Sequence, residues 1–247
     1  MEERPAALLL KFPGTNCDTE TARALEAVGF RAQVMPIARA SEAALEEANL
    51  VVFSGGFSYG DYVMAGRLAQ LEAERKLGDS LKVFRDNGGY MLGICNGFQI
   101  LTKLGFLPQG SLINNTSGRF ICRWVGLRRE VSNNAFLRGL PDTFELPVAH
   151  AEGRFIAPGE LAGEYLEKGL VALTYMDDIN GSSSAIAGLM DETGRVLGLM
   201  PHPERFLWAS NHYDPDWEGD RSDWGWGYMM FQSIYETIMA ERAGELT

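Results

Sequence analysis

Positive charge is in short supply in this chain. Its 22 Lys and Arg stand against 33 Asp and Glu, and the net charge of -11 repels phosphate backbones and anionic lipid. Nucleic acid and membrane surfaces are therefore poor partners. No apolar run approaches the ~20 residues that cross a bilayer, and the stretch Met1 Glu2 Glu3 Arg4 Pro5 lacks the basic start of a secretory signal. A cytosolic protein is expected. Cysteine is sparse: Cys17, Cys95 and Cys122 show no CxxC spacing, which excludes a disulfide framework or zinc knuckle and leaves reduced thiols. The histidines, His150, His202 and His212, are widely separated and no carboxylates cluster at ligand spacing, so no metal site is expected. Repeats and low-complexity tracts are also missing. With 247 residues, 46% apolar and 22% charged, the composition is that of an ordinary globular chain, and one domain over 1–247 is expected.

What is present is an alternation of short apolar runs and longer helical patterns. Ala6 to Lys11, Arg31 to Ile37, Leu50 to Phe53 and Tyr90 to Ile94 read as strands. Between them, helices run from Asp18 or Thr19 to Val28, stopped by Gly29, and from Val63 to about Arg85. In the second helix Leu68, Leu71, Leu77, Leu81 and Phe84 are available for a buried face, and Gly78 Asp79 is a candidate interruption. A further helix after Cys95 carries Phe98, Ile100, Leu101 and Leu104. The second half reads as strands at Phe120–Val131, Phe144–His150, Leu170–Tyr175, Ser184–Met190 and Val196–Met200, with a last helix over Tyr228–Arg242. The fold class is α/β: a doubly wound, mostly parallel open sheet with flanking helices and extra antiparallel strands. Sites in such sheets form at the carboxyl ends of strands, where Gly55, Cys95 and His202 all fall.

Gly93 Ile94 Cys95 Asn96 Gly97 lies between an apolar run and an amphipathic one, the strand, sharp turn, helix context that displays a nucleophile. The two glycines are the small neighbours such a strained turn requires. The amino end of a helix favours negative charge, which suits a thiolate nucleophile at Cys95, and the Asn96 amide would face a developing oxyanion. A buried thiol beside a tight turn is the alternative. Pro201 His202 Pro203 Glu204 supplies a base and its orienting carboxylate, since residues two apart on an extended segment face one side; the prolines are expected to hold it extended. A His in a proline-rich turn with a solvated Glu204 is the alternative there. Cys95, His202 and Glu204 together describe a triad. His150, followed by Glu152, is the competing base and reads better as a substrate wall or structural residue. Gly55 Gly56 Phe57 lacks the ending of a triphosphate loop and instead offers a second oxyanion donor from Gly56 or Phe57, or is a plain glycine-rich turn. Gln99, one helical turn past Cys95, either reaches a polar substrate or lies on the surface.

These residues together resemble the class I, triad-type glutamine amidotransferase family. Gly93 to Gln99 is similar to its nucleophile motif, Gly55 Gly56 to its oxyanion loop, and His202 with Glu204 to its remaining triad members. Pro13 to Asp18, Phe57 to Asp61, Arg119 Phe120, Cys122 to Val125 and Pro201 to Arg205 look more narrowly like the glutaminase subunits of phosphoribosylformylglycinamidine synthases. The resemblance spans nearly the whole chain. It implies a flavodoxin-like glutamine amidotransferase domain over 1–247, in which Cys95 takes the glutamyl group of glutamine, releases ammonia and yields glutamate. It also implies a separate synthetase subunit that uses ATP and magnesium to aminate formylglycinamide ribonucleotide in purine biosynthesis, and a small bridging subunit. No cofactor on this chain is implied. The stretch 206–226, with Trp208, Trp217, Trp224 and Trp226, departs from the family's compact subunit; it either packs its own rings or docks a partner. A stand-alone γ-glutamyl hydrolase, an amidotransferase subunit of another pathway and a non-enzymatic binding module are the competing readings.

Overall fold

In the computed structural model, which describes residues 4–61, 66–217 and 223–245, the apolar runs become strands whose burial matches their place in the sheet. The elements follow in the order β1 (Ala6–Lys11), α1 (Asp18–Val28), β2 (Arg31–Pro36), α2 (Glu42–Glu46), β3 (Leu50–Phe53), α3 (Arg67–Asp86), β4 (Tyr90–Ile94) and α4 (Asn96–Lys103). Then come β5 (Ser111–Ile113), β6 (Ile121–Arg129), β7 (Thr143–His150), β8 (Arg154–Ile156), α5 (Leu161–Glu167), β9 (Val171–Tyr175), β10 (Ile186–Met190), β11 (Val196–Leu199) and α6 (Trp226–Arg242). Among the described residues, no helix is long and apolar enough to cross a membrane.

One sheet of nine strands runs β2-β1-β3-β4-β11-β10-β9-β6-β7, and β5 pairs with β8 in a separate ribbon. The first five strands are parallel and the remainder antiparallel. β3, β4 and β11 are buried along their whole length, as strands covered on both faces must be. β7 instead alternates buried and half-buried residues. The parallel register sends the carboxyl ends of β1, β3, β4 and β11 to one edge, so Cys17, Gly55, Cys95 and His202 leave the sheet side by side.

The helices differ from their sequence pattern in instructive ways. α3 passes through Gly78 without a break, and its buried stripe is Ala69, Ala73, Leu77 and Leu81 at four-residue spacing, extended by Phe84. Leu68 and Leu71 lie off this stripe and are exposed, a correction to the expected face. Ala69 and Ala73, fully buried, open the stripe instead. The predicted start at Val63 lies outside the described residues. α2, β5, β8 and α5 show no readable period because they are only a turn or a few residues long; α2 is fixed locally by Ser41, which caps it by accepting from the Ala44 amide.

Gly93 and Gly97 are small because of close approach, as the turn required. Neither has a positive φ; a Cβ on Gly97 would stand 1.8 Å from the Phe53 carbonyl oxygen, and one on Gly93 would be 2.7 Å from the Gly97 backbone. They allow α4 to rest directly on β3. Gly97→Ala should therefore cost at least ~3 kcal/mol or prevent folding. Gly163→Ala, in α5 with nothing within 4 Å of the new methyl group, should stabilise by about 0.5–1 kcal/mol through helix propensity alone. Thermal unfolding of both variants checks this; a Gly97→Ala protein that melts with the parent contradicts it.

Candidate active site

With α4 pressed onto β3, the residue between Gly93 and Gly97 must turn sharply. Cys95 does so at φ 52 and ψ -104, a left-handed backbone rare for a side chain with a Cβ and costing about 1–3 kcal/mol. The conformation is held by the Cys95 amide donating to the Leu199 carbonyl at 2.8 Å and by the Gln99 amide donating to the Cys95 carbonyl at 3.3 Å. The side chain is thus presented at the amino end of α4, and its Sγ lies 3.8 Å from the Ala149 carbonyl at the end of β7.

Next to it, β11 delivers His202, whose amide donates to the Pro147 carbonyl. The following residues are not extended as the sequence suggested: Pro203–Arg205 form a 3-10 turn with Pro203 in its first position, where no N–H is needed. That turn brings the Glu204 carboxylate back to His202, Oε1 to Nδ1 at 2.6 Å, with both side chains at most 1% exposed. Phe206 and the start of α6 press on the turn; a Cβ on Gly227 would stand 1.8 Å from the Pro203 carbonyl oxygen. Burial opposes charge on the imidazole, but Glu204, then Cys95 and Cys17, outweigh it and hold His202 well above the usual histidine range. Nε2 has no partner at hydrogen-bonding geometry among the described residues, although both thiols are near enough to act on it electrostatically.

The glycine loop closes the site from β3. A Cβ on Gly55 would fall 2.9 Å from His202 Cε1, 3.3 Å from Cys17 Sγ and 3.5 Å from Cys95 Cβ, so no larger residue fits between His202 and Cys95. The Phe57 amide is committed, donating to the Gly14 carbonyl at 3.1 Å, which corrects its candidacy as an oxyanion donor. The Gly56 amide makes no backbone hydrogen bond among the described residues, and the Asn96 amide, in the first turn of α4, has none within its helix. The Phe57 ring is 46% exposed and pairs with Phe120 at 6.4 Å.

Gln99 lies in the site wall, but its amide is spoken for. Nε2 donates to the Glu152 carbonyl at 2.6 Å, and Oε1 accepts from Asn96 Nδ2 at 2.8 Å, while the Asn96 Oδ1 accepts from Ser58. This chain of side chains ties the glycine loop, α4 and the loop after β7 together, and nothing in the spacing of these residues signals it. His150 is buried and neutral: burial pushes it down to about 4, with the charge on His202 adding to the effect. Asn115 donates through Nδ2 to the Arg119 and His150 carbonyls, so its Oδ1 accepts from His150 Nδ1 at 3.0 Å. His150 thus lines the cleft with its Nδ1 already engaged by Asn115. Asn115, in a polar turn without a motif, was not foreseeable.

A cleft of about 410 Å³ is lined by Cys17, Gly56, Phe57, Cys95, Gln99, Phe120, Cys122, His150, His202 and Arg205, among others, with Glu204 behind the His202 ring. A larger cavity, about 620 Å³, lies at the other end of the sheet between α2, α3 and α6, and contains no thiol or imidazole. Cys95 and His202 line the smaller one. Cys17, unassigned in the sequence, sits here: burial raises its thiol pKa, His202 and Arg205 pull against that, and Arg205 Nη2 approaches its Sγ at 3.3 Å. The described part of the aromatic stretch packs on itself and on the domain, with Phe206 meeting Trp124, Trp217 and Trp226 at 4.8, 5.0 and 5.7 Å and Trp224 stacked on Tyr228. Residues 218–222 lie outside the described residues.

The chain is similar to known proteins over most of its length. The model of the CobB/CobQ-like glutamine amidotransferase domain matches residues 4–236. Phosphoribosylformylglycinamidine synthase subunit PurQ of Dehalococcoides mccartyi is 40% identical over 235 residues, covering 86% of this chain and 89% of that protein. The subunit PurQ of Thermus thermophilus is 41% identical over 206 residues, covering 80% and 88%. In the structure of PurLQS from Thermotoga maritima one chain superposes with a TM-score of 0.80 at 34% identity, covering 96% of this chain and 100% of that one.

The two buried histidines should titrate in opposite directions. Because the folded pKa of His202 is raised, its stabilising charge is fully present below the ordinary value of about 6.5 and is lost as pH rises through the folded value. Nitrogen-15 NMR should show His202 as imidazolium at neutral pH while His150 stays neutral until about pH 4. In Glu204→Gln the His202 midpoint should fall. A midpoint that stays in place would contradict the pairing.

Proposed function

The chain belongs to the CobB/CobQ-like glutamine amidotransferase family, and we propose that it is the glutaminase subunit of a phosphoribosylformylglycinamidine synthase. The observation that carries this reading is the coincidence of a fitted Cys95, His202, Glu204 arrangement with about 40% identity to PurQ subunits along nearly their whole length. We assign residues 1–247 to one amidotransferase domain acting in the cytoplasm.

The reaction follows from the geometry. Cys95 Sγ attacks the side-chain amide carbon of glutamine from the apex of its turn, and the carbonyl oxygen becomes an oxyanion received by the Asn96 and Gly56 amides. His202, kept cationic by Glu204, passes its Nε2 proton to the amide nitrogen; the carbon–nitrogen bond breaks and ammonia leaves. The glutamyl thioester remains on Cys95. Neutral His202 then takes a proton from water, the hydroxyl adds to the thioester carbon, and collapse of the second oxyanion expels the sulfur. Glutamine and water have become glutamate and ammonia. Phe57 flanks the mouth of the cleft with its ring, and Gln99 fixes the wall instead of touching the leaving group. Ammonia is consumed by a synthetase subunit that binds ATP and magnesium and aminates formylglycinamide ribonucleotide, with a small third subunit bridging the two.

Cys95→Ala tests this in the assembled complex. Glutamine-dependent synthesis should fall by at least about 10⁴-fold, the scale set by loss of a nucleophile, while synthesis from added ammonium continues at the parent rate. Glutamate release that persists in Cys95→Ala would overturn the assignment.

A further inference from the structure

Glutamine is a zwitterion, and the chemistry at Cys95 engages only its side-chain end. The α-carboxylate and α-ammonium at the other end must also lie in the cleft, and each needs a counter-charge there. Among the described residues that line the cleft, Arg205 is the sole Lys or Arg and Glu152 the sole Asp or Glu. Arg205 ends the 3-10 turn that carries Glu204, so its place is fixed relative to the triad. Its Nη2 stands 3.3 Å from Cys17 Sγ, and Cys17 Sγ and Cys95 Cβ lie 3.3 and 3.5 Å from the point that a Cβ on Gly55 would occupy. That sulfur and the gap left by Gly55 are what separates the guanidinium from the nucleophile, and an extended glutamine spans them. The guanidinium is not used up by its neighbours: the side chain is 34% exposed, Nε meets Glu20 at 3.3 Å, long for a charged pair, and no hydrogen bond among the described residues uses Nη1.

We propose that Arg205 determines the specificity of the glutaminase by donating from Nη1 and Nη2 to the α-carboxylate of glutamine, while Glu152 supplies the negative charge for the α-ammonium group. The planar fork of a guanidinium matches a carboxylate in two parallel hydrogen bonds. Arg205 reaches the cleft from the α1 side, where Glu20 lies, and Glu152 from the α4 side, where its carbonyl is held by Gln99. Opposite charges on the two sides of Cys95 complement a free amino acid and fix which end group faces which wall. A carboxylate entering without this cation would meet only the charge of Glu204 and the thiols, which oppose it. Glutamine whose α-carboxyl is tied up in an amide, as within a peptide, offers Arg205 no charge, so the site selects the free amino acid. The inference rests on the glutaminase reading and adds the end groups that its substrate must carry.

The test compares L-glutamine with its α-amide, L-glutaminamide, by ammonia release from the chain, alone and with the synthetase subunits, and follows glutamine binding to Cys95→Ala by calorimetry. The parent should favour glutamine by roughly 10- to 100-fold in kcat/KM, the worth of a hydrogen-bonded charge. Arg205→Gln should erase that preference, with the loss appearing in KM for glutamine and not in kcat, and Arg205→Lys should recover part of it. Far-ultraviolet spectra confirm that each variant is folded. A preference for glutamine that survives in Arg205→Gln, or a loss confined to kcat, gives Arg205 a purely structural part in the turn and overturns the proposal. Should the parent release no ammonia while Cys95→Ala binds glutamine, and the added Arg205→Gln abolish that binding, the subsite stands and the function is removed instead; no binding to Cys95→Ala removes both.

Discussion

The contact between α4 and β3 is the constraint on which the rest depends. At Gly97 a single added methyl carbon would overlap the Phe53 carbonyl oxygen, and at Gly93 one would meet the backbone of Gly97. Because the helix begins this close to the sheet, the chain has no room for a relaxed connection, and Cys95 absorbs the reversal in its own backbone. The strain is offset by burial of Phe98, Ile100 and Leu101 on either side of the contact. The geometry at Cys95 is thus a consequence of core packing.

A second set of contacts places charge where that thiol needs it. His202 and Glu204 belong to a tight turn that Phe206 and the start of α6 hold against the sheet edge, so the aromatic stretch serves the triad from behind. An imidazolium in so buried a place is tolerable because a carboxylate sits 2.6 Å away. His150, also buried but facing the side-chain amide of Asn115, stays neutral. Two histidines in one cleft are driven to opposite protonation states by their neighbours, the pattern that separates a base from a wall.

Much of this was legible beforehand. The parallel strands showed as apolar runs because strands covered on both faces carry little else, and the chain order of Cys95, His202 and Glu204 followed from motifs that are local. What escaped was whatever depends on a distant segment. That Phe57's amide is already taken by Gly14, or that Gln99's is held by the Glu152 carbonyl, is decided by residues far away in sequence. Leucines at 68 and 71 look like core, yet the face that α3 buries carries Ala69 and Ala73 instead. The turn at Pro203–Arg205 was read as extended because proline is compatible with both conformations. The identity of the ammonia acceptor came from family resemblance and relatives, since nothing in a thiol, an imidazole and a carboxylate specifies where ammonia goes next.

The central claim is that the strained turn makes Cys95, and neither of the other two thiols, the atom that carries the glutamyl group. Mixing the enzyme with glutamine, quenching in acid within the turnover time and sequencing the peptides by mass spectrometry reads this directly. The account predicts one glutamyl adduct per chain, confined to the peptide that contains Cys95 and discharged by hydroxylamine as a thioester should be. An adduct on Cys17 or Cys122, or glutamate formed with no adduct on any cysteine, would contradict it.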